Sequence, residues 1–214
     1  MISVVNGILL ARRLKQVHGT VGMASIGDGG TSTGAFHEAL NQAAVEKLPL
    51  VLVVANNQYA YSTPNDRQFA CESLVDKASG YGVNGQVIDG TNLTSCLAVV
   101  GDAVQRARAG AGPQMLVANL LRLCGHGEHD DGSYVCSDLK ASPVGRDCLK
   151  VAEAEILERG WAAASELDAL RTEVMSEVES AIARVQREPG PDPFSEDWSA
   201  LSCKWLSEGQ AAAT

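Results

Sequence analysis

Val21-Gly22-Met23-Ala24-Ser25-Ile26-Gly27-Asp28-Gly29-Gly30 decides how this chain reads. Its first six residues have the length and apolarity of a buried strand, and Gly-Asp-Gly-Gly stops it. Leu50-Val51-Leu52-Val53-Val54-Ala55 is a second run and stops at Asn56-Asn57. It is β-branched and apolar on both faces, the mark of an interior parallel strand. Between the two, Phe36, Ala39, Leu40, Ala43 and Ala44 recur at helical spacing, and that helix must end before Pro49. One strand–helix–strand unit therefore carries a carboxylate at the end of one strand and an amide at the end of the next.

The same rhythm extends outward. Val4 to Lys15 predicts a helix with a small-residue face ahead of the first strand. Val83 to Ile88 predicts a weak strand, Leu97, Val100, Val104 and Ala107 a helix, and Met115 to Leu123 a further continuous apolar run. A glycine-broken polar loop follows from Cys124 to about Pro143. The pattern predicts an α/β fold, a mostly parallel sheet with helices on both faces. It places an α/β domain at 1–144, a C-terminal helical extension at 145–188 and a tail at 189–214. In the extension, Ser165-Glu166-Leu167-Asp168 reads as a capping box. Leu167, Leu170, Val174, Val178, Ile182 and Val185 form one apolar stripe, and Pro189, Pro191 and Pro193 stop the helix.

Composition narrows the function. A net charge of −9 argues against nucleic acid, because phosphate backbones need a basic face. No apolar run reaches membrane-spanning length, so no membrane role is expected. The six cysteines form no C-x-x-C pair and suit neither a zinc site nor a compact disulfide framework. Reduced thiols in a cytoplasmic protein are the expectation.

In a parallel sheet, ligands bind beyond the carboxyl ends of the strands. Three polar clusters fall there: Gly27 to Gly30, Asn56 to Tyr59 and Arg122 to Asp131. A carboxylate from Asp28 and an amide oxygen from Asn57 suit Mg²⁺, a hard cation that keeps water and phosphate oxygens in its shell. Gly27, Gly29 and Gly30 leave room for a phosphate to approach the backbone, at the start of a helix with free amides. Each piece alone is an ordinary turn. The pair, each following an apolar strand, points to a Mg-diphosphate site. His126, His129 and Asp130 also admit a metal-cluster reading, but a glycine-broken loop gives them no helical register.

The sequence carrying these features resembles one family. Gly27-Asp-Gly-Gly-Thr-Ser-Thr-Gly34, Glu38-Ala-Leu-Asn-Gln-Ala-Ala44, Lys47-Leu-Pro49 and Asn56-Asn-Gln-Tyr-Ala-Tyr-Ser-Thr-Pro64 are similar to the thiamine-diphosphate motif of 2-oxo acid dehydrogenase α subunits. The resemblance runs from about Val5 to Arg187. It implies that Asp28, Asn57 and the backbone oxygen of Tyr59 hold Mg²⁺. It implies cofactor contacts at Gly27, Asp28, Gly29, Gly30, Asn57, Tyr61, Arg122 and His126, with Arg122 facing the phosphates. His126 is the implied catalytic residue, beside the reacting thiazolium carbon, where it can donate a hydrogen bond or proton. The implied reaction is oxidative decarboxylation of a 2-oxo acid with acyl transfer to a lipoyl group. The implied partners are a β subunit, in an α₂β₂ enzyme, and a lipoyl-bearing acyltransferase.

The chain also departs from the pattern. Family α subunits carry further residues ahead of the point matching Met1, so a fragment, an alternative start or one part of a split subunit is expected. The glutamate that activates the cofactor belongs to the β subunit, so the chain alone is expected to be inactive. Ala55 replaces a frequent charged residue, Gly127 a phosphorylated serine, and Val135 a common arginine. Two other readings stay open at this stage: a split transketolase-like subunit and a catalytically inert truncated remnant.

Overall fold

The structure is a computed structural model and describes residues 1–190 with Asp192, Phe194 and Ser195. Its centre is a four-stranded parallel sheet of β1 (Gly22–Gly27), β2 (Leu50–Asn56), β5 (Asn84–Asp89) and β6 (Gln114–Asn119), in the order β1-β2-β6-β5. β3 (Tyr59–Ala60) and β4 (Thr63–Pro64) form a short antiparallel ribbon beyond the end of β2.

Strand alternation sends side chains to two cores. Leu50, Leu52, Val54, Met115 and Val117 face one way, against α1 (Ile2–Leu14), α2 (Gly34–Val45) and α3 (Asp76–Gly80). Val51, Val53 and Leu116 face the other, against Ala103 and Ala107 of α4 (Leu93–Arg108). This is the predicted parallel sheet with helices on both faces. Phe36 and Leu40, the largest side chains on the inner face of α2, are 1% and 0% exposed. Burial of each stabilises the packing by roughly 1.5–3 kcal/mol. Thr33 starts α2 by accepting the N–H of Phe36. Asn6 is fully buried on α1 and donates to the Ala39 carbonyl at 2.8 Å, locking α1 onto α2.

Three elements differ from expectation. β6 stops at Asn119 and does not run to Leu123. The chain peels off there and crosses the end of β2, where Leu120 donates to the Asn56 carbonyl and Arg122 to that of Asn57. That crossing delivers Arg122 to the site. The loop after Cys124 contains a short helix, α5 (Ser137–Ala141). The final helix, α7 (Ala164–Arg187), starts ahead of the expected capping box, with Ala163 as its N-cap. Alanine has no acceptor, so only half the box forms, Glu166 accepting the Ala163 N–H at 2.7 Å.

The chain divides into compact units at 1–161 and 162–214. Residues 145–161 go with the first because Arg146 pairs with Asp89, and Glu155 of α6 (Cys148–Glu158) accepts from Thr94 of α4. In the second unit, Leu170, Val174, Val178, Ile182 and Val185 are exposed on α7. Pro191, Pro193 and most of the 189–214 tail lie outside the described residues. No described helix is long and apolar enough to cross a membrane. Cys71, Cys96, Cys124, Cys136 and Cys148 are free thiols; Cys203 lies outside the described residues.

Candidate functional site

β1 and β2 run in parallel register with Gly27 opposite Ala55. Asp28 and Asn57 therefore leave the same end of adjacent strands. Asp28 is 2% exposed. Its Oδ1 accepts the Gly29 N–H at 2.8 Å, while Oδ2 is buried with no partner. Burial pushes this carboxyl above its ordinary pKa; the Gly29 N–H, the Arg122 guanidinium and the Gln58 N–H oppose the rise without cancelling it. A buried carboxylate oxygen without a partner is costly unless a cation meets it. Asn57 Oδ1 accepts the Tyr59 N–H at 3.2 Å, which leaves that oxygen a second lone pair. The donor set is hard oxygen, as Mg²⁺ requires.

The glycines serve a tighter purpose than expected. A Cβ on Gly29 would lie 2.5 Å from the Ala60 methyl, and one on Gly30 would lie 2.5 Å from Ile26. The space beside both is filled by the chain's own side chains. Gly27 alone of the three faces open space. The turn Gly29–Ser32 is further held by Lys77, whose ammonium donates to the carbonyl and hydroxyl of Thr31 at 3.0 Å each. Partial burial lowers the Lys77 pKa.

The ribbon after β2 is bent by two left-handed residues, Gln58 at φ 76° and Tyr61 at φ 55°. For a residue as large as tyrosine this conformation is strained and needs support from its surroundings. Arg122 supplies it, donating to the Tyr61 carbonyl at 2.8 Å. The same guanidinium bonds the Tyr134 hydroxyl and lies 3.3 Å from Nδ1 of His126. The Tyr61 ring meets the His126 ring edge to face, with centroids 5.0 Å apart. Tyr61, Arg122 and His126, singled out separately in the sequence, form one cluster.

Two further members join it: Asp130, which the sequence offered only as a metal ligand, and Tyr134, which it did not single out. Asp130 accepts from the Tyr134 hydroxyl and the His126 N–H at 2.6 Å each, and from the Gly132 N–H at 2.9 Å. These bonds, Tyr134's first, hold its carboxyl down at about 2. Asp130 is thereby committed to folding the loop, and among the described residues no three metal-binding side chains come together. Gly125 is where the loop doubles back: a Cβ there would collide with the Asp130 carbonyl. Tyr134 carried no motif; its role arises from the loop closing over Tyr59, with ring centroids 5.6 Å apart.

Tyr59 is buried, and its hydroxyl accepts the Cys136 N–H at 3.3 Å. A neighbouring cavity of about 740 Å³ is bordered by Asn56, Gln58, Asn65 and Asn119. None of Asp28, Asn57, Tyr59, Arg122 or His126 lines it. The unpartnered carboxylate, not this cavity, marks the candidate site.

Known proteins share this arrangement of sequence. The family model described as "Dehydrogenase E1 component" matches residues 1–194. The α subunit of an acetoin:2,6-dichlorophenolindophenol oxidoreductase from Cupriavidus necator is 38% identical over 176 residues, covering 82% of this chain and 53% of that protein. The 2-oxoisovalerate dehydrogenase α subunit of Bacillus subtilis is 33% identical, covering 88% of this chain and 57% of that protein. The pyruvate dehydrogenase E1 component α subunit of Rhizobium meliloti is 30% identical, covering 89% and 55%. The chain spans about half the length of the curated relatives it matches. A family match that begins at Met1 and runs past the end of α7 leaves one conclusion: the chain belongs to the dehydrogenase E1 component family.

Proposed function

We propose that this chain is the α subunit of a 2-oxo acid dehydrogenase complex, holding Mg²⁺ and thiamine diphosphate at the ends of β1 and β2. The unpartnered, buried Oδ2 of Asp28 is the observation that carries this reading. A divalent cation offsets the cost of that oxygen, and a diphosphate completes the cation's shell. Asp28 and Asn57 would hold the metal by their side chains and Tyr59 by its backbone oxygen. Gly27, Gly29, Gly30, Tyr61 and Arg122 would flank the cofactor, with Arg122 as the fixed positive charge toward its phosphates.

When bound, thiamine diphosphate supplies the nucleophilic carbon and electron sink for decarboxylating a 2-oxo acid, the acyl group passing to a lipoyl group. The chain's own part is orientation and proton placement. Arg122 is always a donor, so its contact with His126 requires Nδ1 as the acceptor. His126 then carries its proton on Nε2 and can present it to a developing negative charge on the substrate. Asp130 fixes the backbone at His126, and Tyr61 packs against its ring. The partners are a β subunit, which brings the activating glutamate in an α₂β₂ enzyme, and a lipoyl-bearing acyltransferase. The setting is cytoplasmic, and the chain without its β subunit is inactive.

Calorimetric titration of thiamine diphosphate tests this, with and without Mg²⁺, on the chain alone and with its β partner. Mg²⁺-dependent binding, lost in Asp28→Asn, is the expected result. Binding that ignores Mg²⁺ or survives Asp28→Asn would sink the site assignment.

A further inference from the structure

The opposite end of the sheet carries a second feature. Ahead of β1 and β2 lies a cavity of about 180 Å³. Arg12, Arg13, His18, Lys47 and Arg108 line it, and among the described residues no carboxylate does. The whole chain has 26 acidic and 17 basic side chains, so this local excess of base runs against the composition.

The arginines are not equivalent. Arg13 is committed: it pairs with the Glu46 carboxylate and donates to the Glu46 carbonyl at 2.8 Å. Arg12 and Arg108 are anchored differently. Arg12 Nε donates to Thr20 Oγ1 at 2.8 Å, and Arg108 Nε donates to the Gly19 carbonyl at 3.3 Å. Two guanidiniums are thus tethered through Nε to consecutive residues of one turn. Gly19, at φ 77°, permits that turn. Among the described residues neither Arg12 nor Arg108 forms an ion pair, which leaves their terminal nitrogens for a ligand.

Helix dipoles account for part of this. α1, α2 and α4 all end near the cavity, and bases in a last turn are favourable there. A dipole does not require Nε to be tethered, and it does not clear carboxylates from the lining. Two oriented forks facing a hollow are the arrangement that recognises oxyanions. The volume is below the roughly 300 Å³ at which pockets for drug-sized ligands begin, which selects a small anion.

We propose that this cavity is a binding site for a small phosphate-type ligand, either free phosphate or a small phosphate monoester, held by Arg12 and Arg108 with Lys47 and His18 at its edge. It is separate from the Asp28 site and stands or falls independently of the cofactor assignment.

The test uses the full chain at constant ionic strength, with sodium chloride as the compensating salt. Inorganic phosphate and glycerol phosphate are titrated separately by calorimetry, and the tighter of the two identifies the source. The double variant Arg12→Gln, Arg108→Gln should bind at least about tenfold more weakly, as expected when charge-assisted bonds are lost. Arg106→Gln, on the same helix as Arg108 but outside the cavity lining and paired with Asp102, should bind unchanged. Unaltered affinity in the double variant, or heats that chloride reproduces, overturns the proposal. A second measurement needs no variant. Phenylglyoxal labelling of the unmodified chain, read by mass spectrometry, should slow at Arg12 and Arg108 when phosphate is present. Protection of Arg122 alone would refute the site.

Discussion

Asp28 sets function against stability in a single side chain. Its carboxyl is raised by burial, so the charged form costs more in the folded chain than in the unfolded one. The sign follows: the metal-free fold loses stability as pH rises from the ordinary value of 3.8 through the raised one. Asp28→Asn removes that buried charge while keeping the shape. The expected outcome at neutral pH without metal is a gain of about 1 kcal/mol, or roughly 2–4 °C in Tm. A lower Tm would mean that the oxygen is satisfied in the absence of metal. Asp130 behaves oppositely. Its carboxyl is held down at about 2, so its contribution is present above the ordinary 3.8 and is lost as pH falls between those values. Tyr134→Phe removes the largest cause. Acid-induced exposure of the 124–136 loop to pepsin should then begin at higher pH than in the unmodified chain. An unchanged onset would show that Tyr134 does not hold Asp130.

Elements matter here mainly through where they stop. β1 and β2 end one step before Asp28 and Asn57, and β6 ends early enough for the chain to cross over β2. The ribbon of β3 and β4 closes against the turn after β1 at one tight point, Gly29 on Ala60. Gly29→Ala should cost about 1–3 kcal/mol from overpacking between two methyl-bearing backbones. Ala60→Gly in the same chain should recover most of that loss, a coupling that chemical denaturation of the four members of the cycle would measure. Additive losses would mean the two elements do not press on one another.

For the whole molecule, the buried side chains describe one α/β body. Among the described residues every buried hydrophobic lies at or before Val135, and none falls in α7. A chain ending at Trp161 should therefore unfold cooperatively with Tm within a few degrees of the full chain. A large drop would show that 162–214 contributes to the stability of the sheet.

Much of this was legible in the residues. The run at 21–26, read as a buried strand, forms an edge strand that buries Ala24 and leaves Met23 exposed. The run at 50–55 is apolar on both faces, and only a sheet covered on both sides buries such a strand. Together the two runs determined the layered fold and the strand ends where Asp28 and Asn57 stand. The sequence could not show Tyr134 and Asp130 closing the loop on Arg122, nor Gly19 and Thr20 collecting Arg12 and Arg108. Those contacts join residues whose nearness comes from loop closure and helix packing, and no periodicity encodes it. Nor did the glycines announce that Ala60 and Ile26 fill the space beside them. A glycine records that a side chain is unwelcome, and only the tertiary structure decides what takes its place.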